Sequence, residues 1–227
     1  FHTYKLLEKS DHSRGFSAAD LIYLLMPDRF ANGNPDNDSP EGILEKADRS
    51  NHDGRHGGDI QGVLDHLDYI KELGVTALWL NPTIENNNPK YSYHGYAITD
   101  FYKTDPRSGT NEDYKKLSDE LHQKDMKLIM DMIFNHCSSY HWWMKDLPMK
   151  DWVNTHKDYR SNFRGSTISD IHAAEDDIKR MTQGWFDVHM PDMNQNNPYL
   201  AEYLIQNSIW WIEYAKLDGI RMDTHPY

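Results

Sequence analysis

Four short apolar runs punctuate the chain: LIYLLM (21–26), VTALWL (75–80), KLIMDMIF (127–134) and LDGIRM (217–222). The first two are almost continuous in apolar residues, as expected of strands buried on both faces of a parallel sheet. Between the runs the period changes. Ile60, Val63, Leu64, Leu67, Ile70 and Leu73 recur at intervals of three and four, predicting a helix that ends at Gly74, directly before the next strand. A second helix is predicted from Thr110, where Asp113 completes a capping-box-like start and Tyr114, Leu117 and Leu121 form the apolar stripe. A third opens with Asn197 as N-cap, Pro198 at the first helical position and Glu202 near the positive end, and runs through Trp210 and Tyr214.

The order is therefore strand, helix, strand, helix, strand, insertion, helix, strand, which implies right-handed βαβ units and a parallel sheet. The insertion, residues 137–196, is irregular and rich in Trp and charge. A long excursion between a strand end and its helix is typical of a barrel whose βα loops build the working face. The expected organisation is a linker or tail of a preceding domain (1–17), three strands with their helices (18–136), the insertion (137–196), then a helix and a fourth strand (197–227).

Charge narrows the partners. The 227 residues carry 24 Lys plus Arg against 36 Asp plus Glu, a formal charge of −12. Such a chain is poorly suited to neutralising phosphates or anionic lipid, so neither a nucleic-acid nor a membrane partner is expected. No apolar run approaches the roughly eighteen residues of a spanning helix, and no charged-then-apolar leader opens the chain. Cys137 is the single cysteine, which excludes a disulfide framework and leaves cytoplasm and periplasm both open. Among 7 Trp, 14 Tyr and 7 Phe, those in polar loops such as PKYSYHGY and SSYHWWMK suggest platforms for a flat-faced ligand.

Polar groups gather at strand ends where packing alone does not require them. The third run leads into Asp131, Asn135 and His136; the fourth carries Arg221 and Asp223, which share a face because side chains alternate along a strand. An arginine beside a carboxylate favours the charged form, which suits a nucleophile better than an acid. The same pair serves equally well as an ion pair closing a strand, and spacing leaves both readings open.

DMIFNH followed by GIRMD resembles two conserved regions of the α-amylase family of glycoside hydrolases. MPDMN (190–194) resembles a further signature of its neopullulanase and cyclomaltodextrinase branch. YSYHGYAITDFYKTDPRSGT is similar to the family's loop after strand two, and MPDRFANGNPDND with a downstream GGD to that branch's opening segment. The resemblance runs from about residue 18 to the end.

It implies a TIM (β/α)₈ barrel of which strands 1–4 are present, cut after strand four, and retaining hydrolysis of α-1,4-glucans such as cyclomaltodextrins, pullulan and maltooligosaccharides. Asp223 is then the nucleophile of a covalent glycosyl intermediate, and Arg221 holds it ionised and oriented. Tyr96 stacks on the sugar being cleaved, His136 hydrogen-bonds one of its hydroxyls, and Asp131 orients the group. Asn135 occupies a position that ligates calcium in some relatives. The family's acid/base glutamate follows strand five and a further aspartate follows strand seven; neither position lies in these residues. For the full-length protein the resemblance is compatible with a homodimer.

NGNPDND crowds Asn32, Asn34, Asn37 and Asp38 into seven residues, hard oxygen donors of the kind calcium takes, although such a cluster also reads as a turn. By resemblance, Gly57 and Asp59 of the GGD complete a structural calcium site. His52 and His56 share a four-residue spacing, but Gly54 and Gly57 argue against the helix that would align them on a metal. Trp142 and Trp143 fit a sugar platform or packing for the insertion. Met190, before the proline of the signature, favours α-1,4 action over an α-1,6-oligoglucosidase of the same fold; a catalytically dead glucan-binding barrel is the rival outside enzymes.

Overall fold

The computed structural model describes residues 13–162, 165 and 170–225. Residues 1–12, most of the expected leading tail, lie outside them; within the rest of that tail the Arg14 amide donates to Asp218 Oδ1 at 2.9 Å.

In chain order the elements are β1 (Ile22–Leu25), α1 (Pro27–Phe30), α2 (Ile60–Leu64), α3 (Leu67–Glu72), β2 (Ala77–Leu80), β3 (Ile84–Glu85), β4 (Asp100–Thr104), α4 (Asn111–Gln123), β5 (Lys127–Met132), α5 (Glu175–Gln183), α6 (Pro198–Ala215) and β6 (Gly219–Met222). β1, β2, β5 and β6 form one sheet in that order, all neighbours parallel. Each coincides with one of the four apolar runs.

Register divides the sheet's faces. Leu24, Trp79, Ile129 and Gly219 lie side by side, with Asp131 beside Arg221 two residues further on. Alternation therefore puts Trp79, Asp131 and Arg221 on one face. The other face, with Leu25, Leu78, Leu80, Leu128 and Met130, packs into a buried core with Ile60, Val63, Leu67, Ile70, Leu117, Leu121 and Trp211 from the helices. On the first face Ile22 and Leu24 of β1 are 40% and 48% exposed.

Two helix starts form as their sequences dictate. Thr110 Oγ1 accepts the Asp113 amide at 3.1 Å while Asp113 Oδ2 accepts the Thr110 amide at 2.8 Å, a complete capping box. Asn197 Oδ1 accepts the amides of Tyr199 and Leu200 at 3.0 and 3.2 Å, and Pro198 opens α6. The expected helix over 60–73 is instead two, α2 and α3, parted at Asp65 and His66. The break keeps Ile60, Val63, Leu67 and Ile70 buried on one side, so the apolar period survives it. Gly74, at φ +82°, turns the chain out of α3 into β2.

Within 137–196 the chain forms α5 and an aromatic cluster. Trp143 is buried, stacked on Phe101 at 5.5 Å and edge-on to Trp152 at 5.4 Å, so it packs the joint with the sheet domain. Trp142 is 55% exposed. No helix among the described residues is long and apolar enough to cross a membrane.

Candidate active site

Because Trp79, Asp131 and Arg221 share a face, they meet at the carboxyl ends of β2, β5 and β6. Arg221 Nη1 donates to Asp131 Oδ1 and Oδ2 at 2.9 and 3.2 Å and to Asp223 Oδ1 at 2.6 Å. One guanidinium nitrogen thus joins two carboxylates. The Asp223 amide donates to the Met132 carbonyl at 2.8 Å, tying the last residue of this trio to the end of β5. Thr224 follows at φ +50°, a left-handed conformation costly for a β-branched residue, so the backbone turns sharply just past Asp223.

Asp131 is the hub. Its Oδ2 also accepts from Tyr96 Oη and Trp79 Nε1, both at 3.0 Å. Burial pushes its carboxyl above the ordinary carboxylate range, against the pull of Arg221, Trp79 and Tyr96 toward the charged form. The Tyr96 phenol is pushed up by burial and by the charge of Asp131. Burial opposes the charge on Arg221, and Asp131 and Asp223 more than restore it, so its pKa rises.

His94 stacks on Tyr96 with ring centroids 5.8 Å apart, and its Nδ1 accepts the Tyr96 amide at 2.9 Å. Burial, with the charge of His189, lowers His94 to about 4, so it is neutral near neutrality. His136 Nε2 lies 3.1 Å from the Tyr96 carbonyl, and its ring stacks on Phe186 at 4.8 Å. His136 is fully buried, and Asn135 Nδ2 lies 3.2 Å from its Nδ1. In this conformation His136 Nε2 meets the backbone of Tyr96.

Asp223, Arg221, Asp131, Tyr96 and His136 are thus linked through direct contacts. Trp79, His94 and Phe186, which also line or brace the group, were not among the residues expected from sequence. Trp79 sits inside an apolar run, where it reads as core; only its register with β5 shows its indole N–H aimed at a carboxylate. Asp192, within MPDMN, is a fourth. Burial pushes it up to about 7 against one side-chain donor, Asn154 Nδ2 at 2.8 Å.

A second cluster forms where loop 32–38 meets 57–59. Asp59 Oδ1 accepts the amides of Gly33 and Gly62, and Oδ2 accepts the Asn34 amide and Asn37 Nδ2, so this carboxylate caps α2 and gathers the loop. Asn32 Nδ2 donates to Asp38 Oδ1 at 2.7 Å. A side chain at Gly57 would collide with Asp38 and Asn32. Asn32 Oδ1 and Asn37 Oδ1 are buried without a hydrogen-bond partner. Orphaned amide oxygens beside two carboxylates fit a hard cation in donor chemistry.

A parallel sheet carrying its charged groups at the carboxyl ends of its strands is part of a βα barrel seen at its working rim. The chain belongs to the α-amylase family: the family's catalytic-domain model matches residues 24–227. It is 34% identical over 208 residues to Neopullulanase 2 of Thermoactinomyces vulgaris, covering 90% of this chain and 33% of that protein. Among solved structures it is similar to an Anoxybacillus α-amylase, with TM-score 0.75 and 40% identity over 91% of this chain and 41% of that one. The α-amylase of Geobacillus thermoleovorans, solved with acarbose, superposes with TM-score 0.70 and 38% identity, over 91% of this chain and 40% of that one. The chain spans about a third of the length of its curated relative.

Proposed function

We propose that the protein containing this chain is a retaining glycosidase acting on α-1,4-glucans: cyclomaltodextrins, pullulan, maltooligosaccharides or starch fragments. The observation that carries this reading is the single guanidinium shared between Asp131 and Asp223 at the sheet's rim, beside Tyr96. Asp223 is the nucleophile, forming a glycosyl ester, and Arg221 orients its carboxylate. Tyr96 offers its ring to the sugar's apolar face. Asp131 fixes Arg221 and Tyr96 in place, and His136 holds the Tyr96 backbone in reach of the sugar.

Retention needs a second carboxyl about 5 Å from the nucleophile, serving as acid and then base. Asp131 is tied to three donors and is not free for that role; by resemblance to the family the acid/base is a glutamate following strand five, a position not among these 227 residues. The names of the relatives, a neopullulanase and α-amylases, one of them solved with acarbose, support the substrate class.

Calcium belongs to the same reading. Asn32, Asn34, Asn37, Asp38, Gly57 and Asp59 would hold it, clamping the loop after β1 onto the start of α2. Its part is structural, and two carboxylates among neutral oxygens suit modest affinity.

The test is covalent trapping in the full-length protein. A slow fluorinated α-glucosyl donor should add one glycosyl mass to the peptide bearing Asp223, and Asp223→Asn should lose both label and turnover. Label on another carboxylate would overturn the assignment. Product linkage would separate α-1,4 from α-1,6 action, and binding without turnover would point to a dead barrel.

A further inference from the structure

Trp79 touches both ends of the charged group without belonging to it. Its Nε1 donates to Asp131 Oδ2 at 3.0 Å, and the Arg221 guanidinium carbon lies 5.1 Å from the centre of its ring. Trp79 sits on β2, two strands away from Arg221 on β6, and its half-buried ring bridges the width of β5 between them.

The arrangement has a mechanical consequence. Asp131 presents two oxygens to Arg221 from a buried position, whereas Asp223 presents one. Left to electrostatics alone, the guanidinium would be drawn to the buried acid, where the local dielectric is lower. Trp79 opposes this twice. Its N–H occupies part of the Asp131 Oδ2 acceptor capacity, and its π-face gives the guanidinium a second attractive surface. We infer that Trp79 is a positioning residue that holds Arg221 midway, so that Asp131 and Asp223 share it. The catalytic consequence rests on the glycosidase reading above; the structural one does not.

Two variants of the full-length protein separate the contributions. Trp79→Phe keeps a ring under the guanidinium and removes the donor; Trp79→Leu removes both. The loss of one hydrogen bond to a charged group predicts a fall in kcat of about tenfold for Trp79→Phe. Losing the ring as well predicts about a hundredfold for Trp79→Leu. KM should move little, because the interaction positions reacting groups rather than binding sugar. The acid limb of kcat/KM should move to higher pH, since the indole N–H favours the charged form of Asp131.

A substrate-free readout accompanies these. Heteronuclear NMR of the Arg221 guanidinium, assigned against Arg221→Lys, should show hindered rotation in the parent and averaged signals in Trp79→Leu. Hindered signals in Trp79→Leu, or a folded Trp79→Leu protein with the parent's kcat and acid limb, would overturn the proposal. Should Trp79→Leu fail to fold, the smaller change in Trp79→Phe decides in the same way. A parent that hydrolyses no α-glucan would sink the glycosidase reading alone, and the guanidinium signals would still judge Trp79.

Discussion

Two arginines in this molecule engage carboxylates in opposite ways. Arg107 is fully buried and donates from all three nitrogens: to both oxygens of Asp105, to the carbonyls of Glu45 and Asn86, and to Ser92 Oγ, at 2.7–3.0 Å. Those bonds use each of its five N–H groups. Burial alone would push Asp105 up, and the bonds and charge of Arg107 hold it at about 2. Arg221 reaches both of its carboxylates through Nη1 alone, and its side chain is 34% exposed. The first arginine is spent on protein. The second is only partly engaged and partly open to solvent. Donor use and exposure together, rather than the presence of an ion pair, distinguish the two guanidinia.

Substitution of each arginine should sharpen that contrast most. In the full-length protein, Arg107→Met leaves Asp105 buried without its counter-charge and should cost about 3–5 kcal/mol of stability, read from urea unfolding. Arg221→Met should leave the unfolding midpoint close to the parent's. It should lower kcat by about a hundredfold, the order expected when a reacting group is misplaced by an ångström. Equal stability losses for the two would break the comparison.

Asp192 and His141 extend it to buried groups with no counter-charge. Asp192 is raised by burial to about 7, so the folded form holds a proton that the unfolded chain releases near 3.8. Its stabilisation is complete below about 4 and is lost as pH rises to about 7. His141 is lowered by burial to about 3, so its contribution is complete above 6.5 and is lost as pH falls toward 3. In the shared window the two slopes oppose each other and should nearly cancel. Asp192→Asn removes one of them, and stability should then drop on acidification from 6.5 by a few kcal/mol. A flat profile in that variant would show that the two do not offset.

The smallest expected effect concerns the loop after β1. Chelation of the full-length protein should lower Tm by about 5 °C, and Asn37→Ala should abolish that sensitivity. Identical melting with and without chelator would remove calcium from the account.

Much of this architecture was legible before any coordinates. The four barrel strands, the capping box at Thr110 and the Asn197–Pro198 helix start follow from local chemistry that nothing in the fold overrides. The short antiparallel pair β3–β4 was not legible, because two residues of β3 with a register shift carry no period. Nor was the break at Asp65 and His66, since it preserves the buried stripe. In the site, the charged residues stood out against apolar strands, whereas Trp79 and Phe186 did not: their roles come from register and stacking across distant segments. Of the pair Trp142 and Trp143, the second packs into the core and the first lies at the surface.

The half-exposed face of β1 has a bearing on biosynthesis. Strand β1 leaves the ribosome before the other strands of its sheet, and one of its backbone edges has no partner within the described sheet. Synthesis at roughly 5–20 residues per second puts about 10–40 seconds between β1 and β6, the last strand of the described sheet. Through that interval Ile22 and Leu24 sit in an extended apolar segment flanked by Asp20 and Asp28. Such a segment is a natural ligand for chaperones that grip short hydrophobic stretches, so the nascent chain's yield should depend on them far more than the finished protein's stability does.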